Sequence, residues 1–121
     1  MPLNLIFLQL KALLHLCSMI QIHCMCSNED EARTIAHSLV KSHLAACCNI
    51  LPGISSIYEW QNKLELSQEV LLLIKTVPEN YKEIEELILK DHSYECPAIY
   101  STTIESGYDP YLAWIKANSN A

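Results

Sequence analysis

The spacing of apolar and polar positions divides the chain into strands and helices. Ile20, Ile22, Cys24 and Cys26 alternate with Gln21, His23 and Met25, the two-residue period of a half-buried strand. Ala32, Ile35, Ala36, Leu39, Val40 and His43 then recur at helical spacing, which predicts an amphipathic helix from an Asn28 cap to about His43. Glu31, three residues after Asn28, is placed as its capping-box partner. Two β-rich runs follow, 46–60 and 63–75, separated by Gln61-Asn62, where Asn supplies the left-handed backbone of a tight turn. Pro52-Gly53 interrupts the first run, and because proline cannot donate to a ladder the pair marks a bulge or bend. Val70 to Ile74 shows no alternation, so a central strand covered on both faces is expected.

Pro78 opens a second helix, with Tyr81, Ile84, Leu87 and Ile88 inward, ending near Asp91-His92. Residues 98–104 read as a last strand. Asp109-Pro110 then starts a short third helix, Asp as cap and Pro at the first position. The tail, 118–121, is expected to fray. The order is β-α-β-β-α-β plus a terminal helix, an α+β class chain on the ferredoxin-like plan.

The long hairpin, 44–76, changes the picture at the level of assembly. A strand of about 15 residues spans roughly 50 Å when straight, at ~3.3 Å per residue. A 100-residue domain has a diameter of about 34 Å. The hairpin therefore overhangs its own domain, and open apolar edges call for cover by another copy of the chain. A homo-oligomer is expected.

Composition sets limits. With 121 residues, half of them hydrophobic, the chain supports one domain and one core. Its formal charge is −6 and Arg33 is its one arginine, so it has no electrostatic footprint for nucleic acid. A sheet reading RNA would carry aromatics on its central strands, whereas Val70 to Ile74 is aliphatic. Six cysteines, at 17, 24, 26, 47, 48 and 96, lack the spacing of a structural zinc site and do not resemble a disulfide framework. Reduced thiols and a cytoplasmic location are expected. Residues 1–18 are apolar but split by Lys11, too short for a membrane span and without the ends of a secretory signal. With Met19 next, they read as an upstream extension of the reading frame. A cleaved or anchoring leader and an extra helix are the alternatives. No membrane association is expected of the domain at 19–118.

Several ordered motifs carry a family resemblance. Leu44-Ala45-Ala46-Cys47, Asn49-Ile50, Pro52-Gly53-Ile54, Ser56-Ile57-Tyr58, Trp60 and Lys63 lie in the first half of the hairpin. Glu69 to Thr76, His92-Ser93-Tyr94-Glu95-Cys96-Pro97 and Tyr111-Leu112-Ala113-Trp114-Ile115 follow. Together they resemble the CutA family of divalent-cation tolerance proteins over residues 19–118. Ser93 and Cys96 depart from the family's usual His-Pro-Tyr-Glu-x-Pro element.

The resemblance implies a homotrimer built through the hairpins and a link to copper or another divalent metal ion, without a catalysed reaction. Cys47 matches the cysteine of the family's Leu-Ala-Ala-Cys motif, and Cys26 a first-strand cysteine of some members. His92 and Glu95 complete the candidate metal set, with thiolate and imidazole suited to copper. The plainer alternatives are cysteines packed as small hydrophobes and His92 as a helix-end cap. Cys24 and Cys96 are expected in the core.

Tyr58, Trp60, Tyr94, Tyr108 and Trp114 read as subunit-packing aromatics, or alternatively as a cleft between protomers in which Glu69 and Lys75 fix an anionic or mixed-charge ligand. A trimeric small-molecule-binding signalling protein is thus the second functional class. A phosphate-handling enzyme would want an arginine in a phosphate-cradling loop. No such loop, G-x-S-x-G elbow or H-E-x-x-H helix occurs, so no enzyme is expected.

Overall fold

The computed structural model describes residues 18–120. The expectations for residues 1–17 and for residue 121 lie outside the described residues. Four strands, β1 (Ile20–Cys26), β2 (Cys47–Trp60), β3 (Lys63–Thr76) and β4 (Ile99–Thr103), form one sheet in the order β2-β3-β1-β4. Every pairing is antiparallel. Helix α1 (Glu29–Lys41) and helix α2 (Tyr81–Asp91) connect the strands, and α3 (Asp109–Ala117) closes the chain. This is the expected ferredoxin-like order.

Burial along β1 alternates without a break. Ile20, Ile22, Cys24 and Cys26 meet Val70, Leu72 and Ile74 of β3 and the inward stripes of the helices, Ala32, Ile35 and Leu39 from α1 with Ile84 and Ile88 from α2. Asn28 caps α1, its Oδ1 accepting the Glu31 N–H at 2.8 Å. The reciprocal bond differs from the expected one, because Glu31 Oε1 accepts from the Ser27 N–H at 3.1 Å. Helix α1 ends at Lys41, two residues early, since His43 takes φ 61. That turn returns the Leu44 and Ala45 N–H groups to the Leu39 carbonyl, a left-handed stop of the kind helices commonly use.

The hairpin behaves as its punctuation demands. Gln61 and Asn62 both have positive φ, 52 and 64, the backbone of a tight primed turn. The β2/β3 register shifts between Leu51 and Ile54, with Gly53 at φ 80. β1 pairs with β3 from Val70 to Thr76 only, so beyond Glu69 the hairpin continues as a two-stranded ribbon. One expectation is corrected here. β3 is central, but Leu71 and Leu73 are only half-buried, because both long helices cover one face of the sheet and leave the other open.

Pro78 opens a 3-10 turn, Pro78–Asn80, that runs into α2. β4 is a residue shorter at each end than expected, although the Met25 N–H to Ala98 and Ile104 N–H to Met19 bonds extend its ladder. Tyr108, not Asp109, occupies the cap of α3. Helix α3 packs Ile115 and Leu112 on Met19, Ala46, Val77 and Ile104. The tail is tied down, contrary to expectation. Ser119 is buried, its hydroxyl donating to the Ile115 carbonyl at 2.7 Å, and Asn80 Nδ2 donates to both the Ser119 and Leu44 carbonyls.

Candidate metal site and neighbouring cleft

Cys24 and Cys26 stand two residues apart on β1, so a strand's period places both thiols on the covered face, and both are fully buried. His92, just past the end of α2, brings its ring to the same place. One ligand atom from each of the three lies within 4.8 Å of the others, the only such trio of His, Cys, Asp or Glu side chains among the described residues. Two thiols and an imidazole form a donor set suited to soft or borderline metals.

The electrostatics fit that reading. A shared hydrogen bond holds the Cys24 proton and pushes its pKa far up, with burial adding to the effect. The same interaction lowers Cys26 against its own desolvation. His92 Nδ1 accepts the Tyr94 N–H at 3.0 Å, which places the ring proton on Nε2. There it donates to the Met25 carbonyl at 2.8 Å, with Glu31 Oε1 at 3.4 Å. Ligation by either ring nitrogen therefore exchanges one of these bonds. Burial raises the Glu31 pKa, but hydrogen bonds from Ser93 and Ser27 and the nearby His92 outweigh it and hold the carboxyl below its usual range.

The other sequence candidates separate. Cys47 sits opposite Lys75 in the register, and Cys26 opposite Val70. The two thiols are thus about 17 Å apart along β3 at ~3.4 Å per residue, and on opposite faces of the sheet. Cys47 therefore cannot join Cys26 and His92 on one ion within a protomer. Cys48 faces the core, where burial pushes its thiol up to about 12. Glu95 is exposed. Cys24 lies in the core as expected, and its thiol also falls within the trio with Cys26 and His92.

Directly across β1, on the open face, lies a cleft of about 490 Å³. Tyr58, Trp60, Glu69, Tyr94 and Glu95 line it together with Met25 and Cys96. Cys96 is exposed and not in the core. Glu69 is buried to 9 % exposure and accepts the Tyr94 hydroxyl proton at 2.9 Å. Burial and this carboxylate raise the Tyr94 pKa, so the phenol stays neutral and donates. Tyr58 is fixed by a 2.8 Å hydrogen bond between its hydroxyl and Ser67 Oγ. Lys75 stands six β3 positions from Glu69, outside this cleft, and donates to Asn49 Oδ1. Tyr108 and Trp114 lie outside the cleft, with Trp114 stacked on Tyr111 at 6.0 Å.

No helix of the described residues is long and apolar enough to cross a membrane. A family model described as CutA1 divalent ion tolerance protein matches residues 20–118. Protein CutA homolog of Xenopus laevis is 46% identical over 90 residues, 74% of this chain but only 60% of that protein. Divalent-cation tolerance protein CutA of Thermus thermophilus is 42% identical over 92 residues, covering 76% of this chain and 89% of its own. The crystal structure of CutA1 from Shewanella sp. SIB1 superposes with a TM-score of 0.83 at 40% identity, covering 87% of this chain and 98% of that one.

Proposed function

The chain belongs to the CutA1 divalent ion tolerance family, and from that premise we propose that it is a trimeric copper-tolerance protein that binds metal without catalysing a reaction. The observation that carries the metal assignment is the convergence of Cys24, Cys26 and His92 within 4.8 Å. A buried set with two sulfurs favours Cu(I) among biological metals. The five described cysteines are free thiols, which supports a reducing, cytoplasmic setting. Cover for the open sheet face supports self-association, and the number three follows from the family resemblance.

Competition titration tests this. The reduced chain is expected to hold one Cu(I) per protomer at sub-micromolar affinity against chelators, with Zn(II) weaker. Cys26→Ser is expected to lose more than the ~10–100-fold that removal of an outer-shell partner costs, while Cys47→Ala retains the site. Equal binding by the wild type and Cys26→Ser would remove the assignment.

The open-face cleft favours a second reading, binding of a small molecule. Its volume lies within the ~300–1,000 Å³ common for such sites.

A further inference from the structure

We infer that Ser93 sets the metal preference of the Cys24, Cys26 and His92 site by holding the Glu31 carboxylate out of the ligand set. The inference rests on the metal reading above and names what separates Cu(I) from Zn(II) there.

Proximity is the first ground. Glu31 Oε1 stands 3.4 Å from His92 Nε2, with the His92 side chain fully buried and that of Glu31 12% exposed. Beyond their mutual hydrogen bond and their burial, both thiols also feel the negative charge of Glu31, which favours their protonated forms. Among the described residues no lysine or arginine pairs with this carboxylate. Glu31 nevertheless does not join the donor atoms that lie within 4.8 Å of one another. It borders the site without entering it.

Restraint is the second ground. Both carboxylate oxygens are occupied, Oε1 by the Ser27 N–H at 3.1 Å and Oε2 by the Ser93 N–H at 3.2 Å. The Ser93 hydroxyl donates to Ser27 Oγ at 3.3 Å, which joins the two donors to each other. Hydrogen bonds to an ionised acceptor are about twice as strong as neutral ones, so turning the carboxylate toward an ion forfeits strong bonds. The two donors differ in origin. Ser27 belongs to the start of the helix that carries Glu31, whereas Ser93 arrives from 62 residues along the chain, next to His92. The loop that delivers the imidazole thus also delivers the group that retains the carboxylate.

Metal chemistry turns that restraint into selectivity. Zn(II) in structural protein sites is almost always four-coordinate and accepts carboxylate oxygen, whereas soft thiolate sulfur selects Cu(I). Two sulfurs and one imidazole without a fourth donor therefore favour Cu(I). A freed Glu31 supplies the oxygen that Zn(II) lacks.

Ser93→Pro tests this, because it removes the N–H at an exposed position. His92 before it has φ −80 and ψ 141, a backbone that suits the residue preceding a proline. In chelator competition on the reduced full chain, Ser93→Pro is expected to raise the ratio of Zn(II) to Cu(I) affinity by about tenfold or more. Adding Glu31→Gln is expected to abolish that rise. Co(II), a spectroscopic stand-in for Zn(II), is expected to give the same d-d bands in the wild type and in Glu31→Gln, and shifted bands in Ser93→Pro. An unchanged ratio in Ser93→Pro, or a rise that survives Glu31→Gln, overturns the role of Ser93 and leaves the metal site standing. Should Ser93→Pro not fold, the Co(II) bands decide, since a shift in Glu31→Gln alone would put the carboxylate on the ion in the wild type. No binding of Cu(I), Zn(II) or Co(II) by the wild type overturns the metal reading and this inference with it.

Discussion

Glu31 shows how much a single side chain can join at this sheet end. It caps the entry to α1 through Ser27, accepts the Ser93 N–H at 3.2 Å from the loop before β4, and faces His92. Its pKa is held below the ordinary value, so the unfolded chain binds the proton more tightly. The stabilisation is therefore complete above the unfolded carboxyl's pKa of ~4.3 and disappears as pH falls through the lower folded value. Urea midpoints measured from pH 7 to pH 3 are expected to drop more steeply for the wild type than for Glu31→Gln. Parallel curves would show that Glu31 is not the linked group. At this scale the sequence was only partly legible. Asn28, Cys26 and His92 could be picked out from local pattern and motif. That His92 meets Cys24 and Cys26, and Ser93 meets Glu31, depends on which residues come together after the chain has returned from α2, and no local spacing encodes that.

At the scale of elements, legibility was high wherever backbone chemistry decides. Pro52-Gly53 gives a bulge with Gly53 at φ 80, and Gln61-Asn62 gives a turn with both residues left-handed. Nothing lies within 4 Å of a Cβ built on Gly53, so Gly53→Ala meets strain and no clash. A left-handed alanine costs about 1–2 kcal/mol, and the change is expected to lower the unfolding free energy by that amount with no loss of soluble expression. A neutral result in denaturant titration would mean that the bulge relaxes to negative φ. Prediction failed at the start of α3. Asp109-Pro110 looks like a helix start, yet Tyr108 takes the cap and the side chain of Asp109 joins the first turn. The tail read as polar and free, but Ser119 is pinned by the Ile115 carbonyl one turn back and by Asn80, a long-range partner that composition does not reveal.

For the whole molecule, the arithmetic of the hairpin carries furthest. β3 has seven residues, 63–69, beyond its pairing with β1, or about 24 Å of two-stranded ribbon at ~3.4 Å per residue. Such a ribbon is marginal in water by itself. One side turns Tyr58 and Trp60 toward the cleft, and the other exposes Ile57 at 71%, Leu64 at 80% and Leu66 at 67%. Ile57 faces Leu66 across the pair, so these side chains form one apolar strip on the ribbon of an acidic chain. Leu71 and Leu73 add half-covered surface on the open face. A strip of this kind gains stability only by meeting a matching surface, and in a homo-oligomer every copy offers the same one. Native mass measurement is expected to give three times the 13.8 kDa chain mass. Leu66→Asp sits on the exposed strip and touches no core residue, so it is expected to shift the assembly to monomer and lower the melting temperature while the isolated protomer keeps its sheet by circular dichroism. A Leu66→Asp protein that stays at the wild-type mass would place the interface on the open face alone, with Leu71 and Leu73 as the next positions to charge.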